Sequence, residues 1–157
     1  MPLVPIIMGS KSDLSHAQAI AEGLKAFGIE CELRVASAHK AAQHLLNLLA
    51  AYEADPRPKV YITIAGRSNA LSGMVDANVT APVIACPPYS DRFGGSDLFS
   101  SLRMPSGVAP AVVLEPAGAA LLAAKILALY DPTLRDQIAR AQQATTQQIV
   151  TDDRAVK

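Results

Sequence analysis

The chain has 157 residues, of which 50% are hydrophobic and 18% charged; that suits one folded domain with a sizeable core and excludes general disorder. Its 14 basic and 14 acidic side chains cancel, which excludes a broad basic footprint for nucleic acid and a polybasic membrane anchor. No run approaches the ~18 apolar residues of a membrane span and no signal-peptide pattern opens the chain, so a cytoplasmic domain is expected, and any anionic ligand is expected to be small.

Leu3 to Met8 is an apolar run ended by Gly9 and reads as a strand buried on both faces. Pro5 removes one ladder donor from it and is expected at a tolerant position. Ser12 and Asp13 read as helix N-caps, followed at helical spacing by Leu14, Ala17, Ile20, Ala21, Leu24 and Phe27, with Gly28 as C-cap. Glu30 to Val35 is a second strand, less apolar and so nearer an edge. Ser37-Ala38-His39-Lys40 then opens a helix carrying Ala42, Leu45, Leu49 and Tyr52, which stops before Pro56 and Pro58.

Lys59 to Ile64 is rich in β-branched residues and reads as the third strand. A short helix over Leu71 to Ala77 follows, then a fourth strand from Pro82 to Cys86 and an extended loop at Pro87 and Pro88. Ser96 to Met104 is predicted as a short helix capped by Ser96 or Asp97, and Ala109 to Leu114 as the fifth strand. Gly118 to Tyr130 is a helix apolar nearly all round. Pro132 to about Val150 is a polar helix with a thin stripe of Leu134, Ile138, Ala141 and Ile149, and the residues beyond it are expected to fray. Cys31 and Cys86 fall in predicted strands as small buried thiols, without an expected disulfide.

Strands alternating with helices through short connections imply a parallel sheet with helices on both faces. Five strands fit a doubly wound, flavodoxin-like order, an α/β three-layer sandwich with the polar helix as a C-terminal extension and one domain over residues 1–157. Ligands bind such sheets at the carboxyl edge, where the turns after the first and third strands flank the switch point. Those turns are Gly9-Ser10-Lys11-Ser12-Asp13 and Gly66-Arg67-Ser68-Asn69, with Ser37-Ala38-His39-Lys40 beside them.

The first turn offers a glycine, hydroxyls and free backbone donors at a helix start, which favour a phosphate. Asp13 repels a phosphate and suits ribose hydroxyls; the competing reading is that Ser12 and Asp13 only cap the helix. It is neither a Walker A loop nor a dinucleotide fingerprint. His39 sits at a loop–helix junction, where one imidazole can both accept and donate a proton near neutral pH, or else cap the helix. His16 and His44 read as surface residues. No histidine or cysteine pair has ligand spacing, so no metal is expected. Lys40 has two readings, an anion partner or a solvated cation, and Arg67 two, a ligand contact or a structural ion pair. The segment 96–107 reads as a lid or a subunit contact.

GSKSD after the first strand, SAHK after the second, IAGRSNALSG after the third and SSLRMPSG further on, in order over residues 3 to about 130, resemble the phosphoribosylaminoimidazole carboxylase family. One class of that family, a mutase acting on N5-carboxyaminoimidazole ribonucleotide, typically has SAHR and a longer loop with a second histidine. Lys40 and the AGRSN turn resemble instead the class that carboxylates 5-aminoimidazole ribonucleotide with carbon dioxide. The resemblance implies reversible carboxylation at C4 without a cofactor, with His39 as general acid/base and Lys40 beside it. Gly9, Ser10, Ser12, Asp13 and Ser37 are implied as ribonucleotide contacts, and Gly66, Ser68 and Asn69 as the place of carbon dioxide or the new carboxylate. A homo-oligomer, tetramer or octamer, is implied as well. The reading from another class is a non-catalytic flavodoxin-like nucleotide-binding domain.

Overall fold

A computed structural model describes residues 1–157. Five parallel strands, β1 (Leu3–Met8), β2 (Glu30–Val35), β3 (Tyr61–Ile64), β4 (Val83–Ala85) and β5 (Ala111–Val112), form one sheet in the order β2-β1-β3-β4-β5. This is the flavodoxin-like order the strand pattern predicts, with β1 and β3 adjacent at the switch point. Helix α1 (Leu14–Lys25), α5 (Pro116–Leu127) and the first turns of α6 (Pro132–Ala155) cover one face. Helices α2 (Ala42–Glu53) and α3 (Leu71–Asp76) cover the other, and α4 (Phe99–Leu102) lies in the connection to β5.

The apolar continuity of β1 follows from those two layers. Val4, Ile6 and Met8 enter the core under α1 and α5, while Leu3 and Ile7 enter the core under α2 and α3. A strand buried on both faces cannot alternate. The glycine of α1 serves the same packing: a Cβ on Gly23 would stand 2.7 Å from the Cβ of Ala120 on α5. The two helices approach that closely because both present almost no side chain at the crossing.

Pro5 explains where β3 begins. The amide groups of Leu3 and Gly9 donate to the carbonyls of Pro58 and Ile64, at 3.0 and 2.9 Å. That register turns the Pro5 nitrogen toward the Val60 carbonyl, where proline has no N–H to give, and the regular ladder starts at Tyr61 rather than at Lys59. Leu3 and Lys59 share only an isolated bridge. β2 is the edge strand, as its mixed composition predicts.

Other boundaries moved for local reasons. α5 starts at Pro116 rather than Gly118, since proline fits the first helical turn. The predicted helix from Ser96 is instead a 3-10 segment, Arg92–Leu98, broken by left-handed Phe93, Gly94 and Gly95 (φ 52°, 63° and 77°), then the single turn α4. Neither Ser96 nor Asp97 caps it through a side chain. β4 and β5 are shorter than expected, at three and two residues, with Pro82 directly before β4 and Pro110 directly before β5. The C-terminus does not fray at Val150: α6 runs 24 residues to Ala155, with Gln148 bonded to Asp152 (2.8 Å) and Lys157 paired with Asp153 (3.3 Å). Both cysteines are free thiols. No helix is long and apolar enough to cross a membrane.

Candidate active site

The carboxyl ends of β1, β2, β3 and β4 open into one cleft of about 860 Å³, within the ~300–1,000 Å³ usual for small-molecule sites. The β1 turn contributes Gly9, Ser10, Ser12 and Asp13, the β2 turn Ser37, His39 and Lys40, and the β3 turn Gly66, Arg67 and Ser68. Pro88, Ser90, Arg92, Phe93 and Asp97 close the side beyond β4. Lys40, Arg67 and Arg92 outnumber Asp13 and Asp97 in this lining, so the cleft is net positive and suits an anion.

In the β1 turn the cap is Ser10, not Ser12 or Asp13. Ser10 is extended (φ −151°, ψ 148°), and its Oγ accepts from the Ser12 amide at 3.2 Å and the Ser12 hydroxyl at 2.9 Å. The Asp13 carboxylate makes no capping bond at the start of α1. It is left facing the cleft, where burial pushes its pKa above the ordinary aspartate value and the nearby His16 partly opposes that.

In the β2 turn the backbone curls over Ser37 before α2 starts at Ala42. The Ser37 Oγ accepts from the Lys40 amide (3.2 Å) and its carbonyl from the Ala41 amide (2.9 Å). Ser37 therefore holds the turn, α2 starts after Ala41 without a side-chain cap, and the exposed His39 ring and Lys40 ammonium make no bond within the chain. An imidazole and an ammonium, uncommitted and side by side on one wall, are what proton transfer next to a developing anion needs.

The β3 turn is built differently. Arg67 adopts a left-handed backbone (φ 58°) and forms no ion pair, so the structural salt bridge is not its role. Asn69 is buried and does not line the cleft. Its amide N–H donates to Ser100 Oγ (2.9 Å), its Nδ2 to Ser101 Oγ (2.9 Å), and its Oδ1 accepts from the Ser72 amide (3.1 Å). Ser100 in turn donates toward the Arg67 carbonyl (3.2 Å) and the Asp97 carbonyl (2.8 Å). These bonds moor the 92–102 segment onto the β3 turn, and that segment brings Arg92, Phe93 and Asp97 to the cleft.

Two features were not read from the sequence. The wall beyond β4 was missed because its residues come from an irregular connection with a left-handed turn at Phe93-Gly94-Gly95; the Gly-Gly pair was the available signal. His16 is not a bland surface residue: it is half-buried, and its Nε2 lies 3.1 Å from the Cys86 carbonyl. Nothing in local spacing brings a residue of α1 to the end of β4. His44 is exposed, as expected. No group of three or more histidine, cysteine or acidic side chains stands together as a metal site requires.

A doubly wound parallel sheet with an anion-favouring cleft at its switch point and an unbonded imidazole beside it defines a class: α/β proteins with a site for a small-molecule anion. Comparison narrows it. The family model described as AIR carboxylase matches residues 3–148. The phosphoribosylaminoimidazole carboxylase of Treponema denticola is 57% identical over 156 residues, covering 99% of this chain and 98% of that protein. That of Archaeoglobus fulgidus is 52% identical over 152 residues, covering 97% and 83%. The crystal structure of Treponema denticola PurE aligns with a TM-score of 0.98 at 57% identity, over 100% of this chain and 99% of that one. The chain belongs to the AIR carboxylase family.

Proposed function

We propose that the chain, as one catalytic domain over residues 1–157, carboxylates 5-aminoimidazole ribonucleotide at C4 with carbon dioxide, reversibly and without a cofactor, in cytoplasmic purine biosynthesis. The observation that carries this reading is the unbonded His39–Lys40 pair on the wall of the cleft that also holds the Ser10–Asp13 turn. The full-length relatives named phosphoribosylaminoimidazole carboxylase support it.

Ser10 and Ser12 with the Gly9 backbone hold the phosphate, the ionised Asp13 accepts from the ribose hydroxyls, and Ser37 lines the ring. The amino-imidazole is an enamine, so C4 attacks the carbon of carbon dioxide without help from a metal, biotin or ATP. The new carbon–carbon bond leaves C4 still bearing its proton. His39 takes that proton, the C–H electrons return to the ring, and aromaticity is restored; in the reverse direction His39 supplies it. Lys40 and the Gly66–Ser68 backbone stabilise the carboxylate, while the cleft holds the gas over C4 in place of much of the entropic cost. Asn69 serves indirectly, by fixing the turn and the opposite wall.

The oligomer belongs to the same proposal. Every residue of α6 from Ala139 onward is exposed, and Tyr89, Phe93, Phe99 and Tyr130 leave their rings in solvent. A homo-oligomer, tetramer or octamer, covers such surface. The functional reading is tested with His39→Asn, which keeps a polar contact and removes the titrating base. Turnover is expected to fall by ~10²–10⁴ with ribonucleotide affinity kept; near-normal turnover removes His39 from the mechanism.

A further inference from the structure

His16 crosses from the first turn of α1 to the exit of β4. Its Nε2 lies 3.1 Å from the Cys86 carbonyl and 3.3 Å from Cys86 Sγ. A carbonyl only accepts, so the contact assigns the ring proton to Nε2. The Cys86 thiol donates onward to the Leu114 carbonyl, at 3.6 Å, which leaves sulfur lone pairs toward the imidazole. The directed chain thus joins α1, the end of β4 and Leu114 in the connection from β5 to α5. Burial, reinforced by Glu115, pushes the thiol pKa up to about 12, so the donor proton stays in place.

The next residues along the chain are Pro87 and Pro88. Pro88 lies on the cleft wall against Gly66, where a Cβ would stand 3.5 Å from the Pro88 ring. Neither proline has an N–H with which to anchor itself. The last anchored group before the wall is therefore the Cys86 residue: its amide donates to the Thr63 carbonyl (2.8 Å), and its own carbonyl is held by His16.

We infer that His16 is a positioning residue for carboxylation: by holding the Cys86 carbonyl it sets Pro88 against Gly66, and so shapes the pocket for carbon dioxide rather than that for the ribonucleotide. This rests on the carboxylase reading above. It differs from that reading in assigning a kinetic role to a side chain that touches neither substrate.

The test compares His16→Ala and His16→Gln in a Cys31→Ser background, where Cys86 is the sole remaining thiol. The Gln amide can still donate to the Cys86 carbonyl; Ala cannot. For His16→Ala the saturation constant for dissolved carbon dioxide is expected to rise about 10- to 100-fold, the scale of a small misplacement. The Michaelis constant for aminoimidazole ribonucleotide, which also senses the loss of His16 beside Asp13, should change by a smaller factor than the carbon dioxide constant, and Cys86 should react with a thiol reagent at least tenfold faster. His16→Gln should recover most of both changes. Unchanged carbon dioxide dependence in His16→Ala overturns the inference, even if the thiol becomes reactive or the melting temperature drops, because that is a purely structural role. Equal defects in Ala and Gln variants overturn it too. Absence of carbon-dioxide-dependent turnover before any change at His16 overturns the carboxylase reading itself, and is recognised by that.

Discussion

Asn69→Ala removes the side chain that ties the β3 turn to the 92–102 wall. The Asn69 amide bond to Ser100 survives, because it is made by the backbone. Two bonds are lost: Nδ2 to Ser101 Oγ (2.9 Å) and the Ser72 amide to Oδ1 (3.1 Å). Ser72 is 0% and Ser101 2% exposed, so water does not readily replace the missing partner. Each orphaned buried group costs ~1–3 kcal/mol, which gives a loss of about 2–6 kcal/mol. The loosened wall carries Arg92 and Asp97, so kcat/KM should fall as well. Urea unfolding followed by circular dichroism gives the first quantity and steady-state kinetics the second. A variant with the parent midpoint and parent kcat/KM would refute the mooring argument.

Gly23→Ala places a methyl 2.7 Å from Ala120 Cβ; the α1–α5 crossing must widen at a cost of ~1–3 kcal/mol, of which the better helix propensity of alanine returns about 1 kcal/mol, and thermal unfolding should show the net loss. The pH dependence of stability should show the Asp55–Arg57 pair. Arg57, bonded to Asp55 at 2.7 and 2.8 Å, holds that carboxyl at about 2. A carboxylate with a depressed pKa stabilises above its unfolded value and loses that contribution as pH falls through the folded one. The difference in urea midpoint between parent and Asp55→Asn should therefore be full at neutral pH and close between about pH 4 and about pH 2. A difference constant down to pH 2 would remove the pair from the account.

The sheet order was legible because burial on both faces writes itself into β1 as an unbroken apolar run, while edge strand β2 keeps its charges. The three turns were legible because the topology alone takes them to one edge. What local spacing could not show was which polar groups in those turns are consumed by the fold. Asn69, read beside Ser68 as a ligand contact, turns inward because serines some thirty residues later need it. Ser10 takes the cap assigned to Ser12 and Asp13 because the chain enters the turn extended. His16 acquires partners only through a contact across 70 residues, between α1 and β4. Such commitments depend on tertiary geometry, which periodicity does not encode.

The central claim is that carbon dioxide from solution is added to C4 in the cleft that holds His39 and Lys40. Initial rates with aminoimidazole ribonucleotide and dissolved carbon dioxide, set beside rates with its N5-carboxylated isomer, test it most directly. The account predicts a rate that saturates with carbon dioxide and a poor response to the isomer. Efficient turnover of the isomer, with no exchange of label with dissolved carbon dioxide, would contradict it and make the protein a mutase on the same fold.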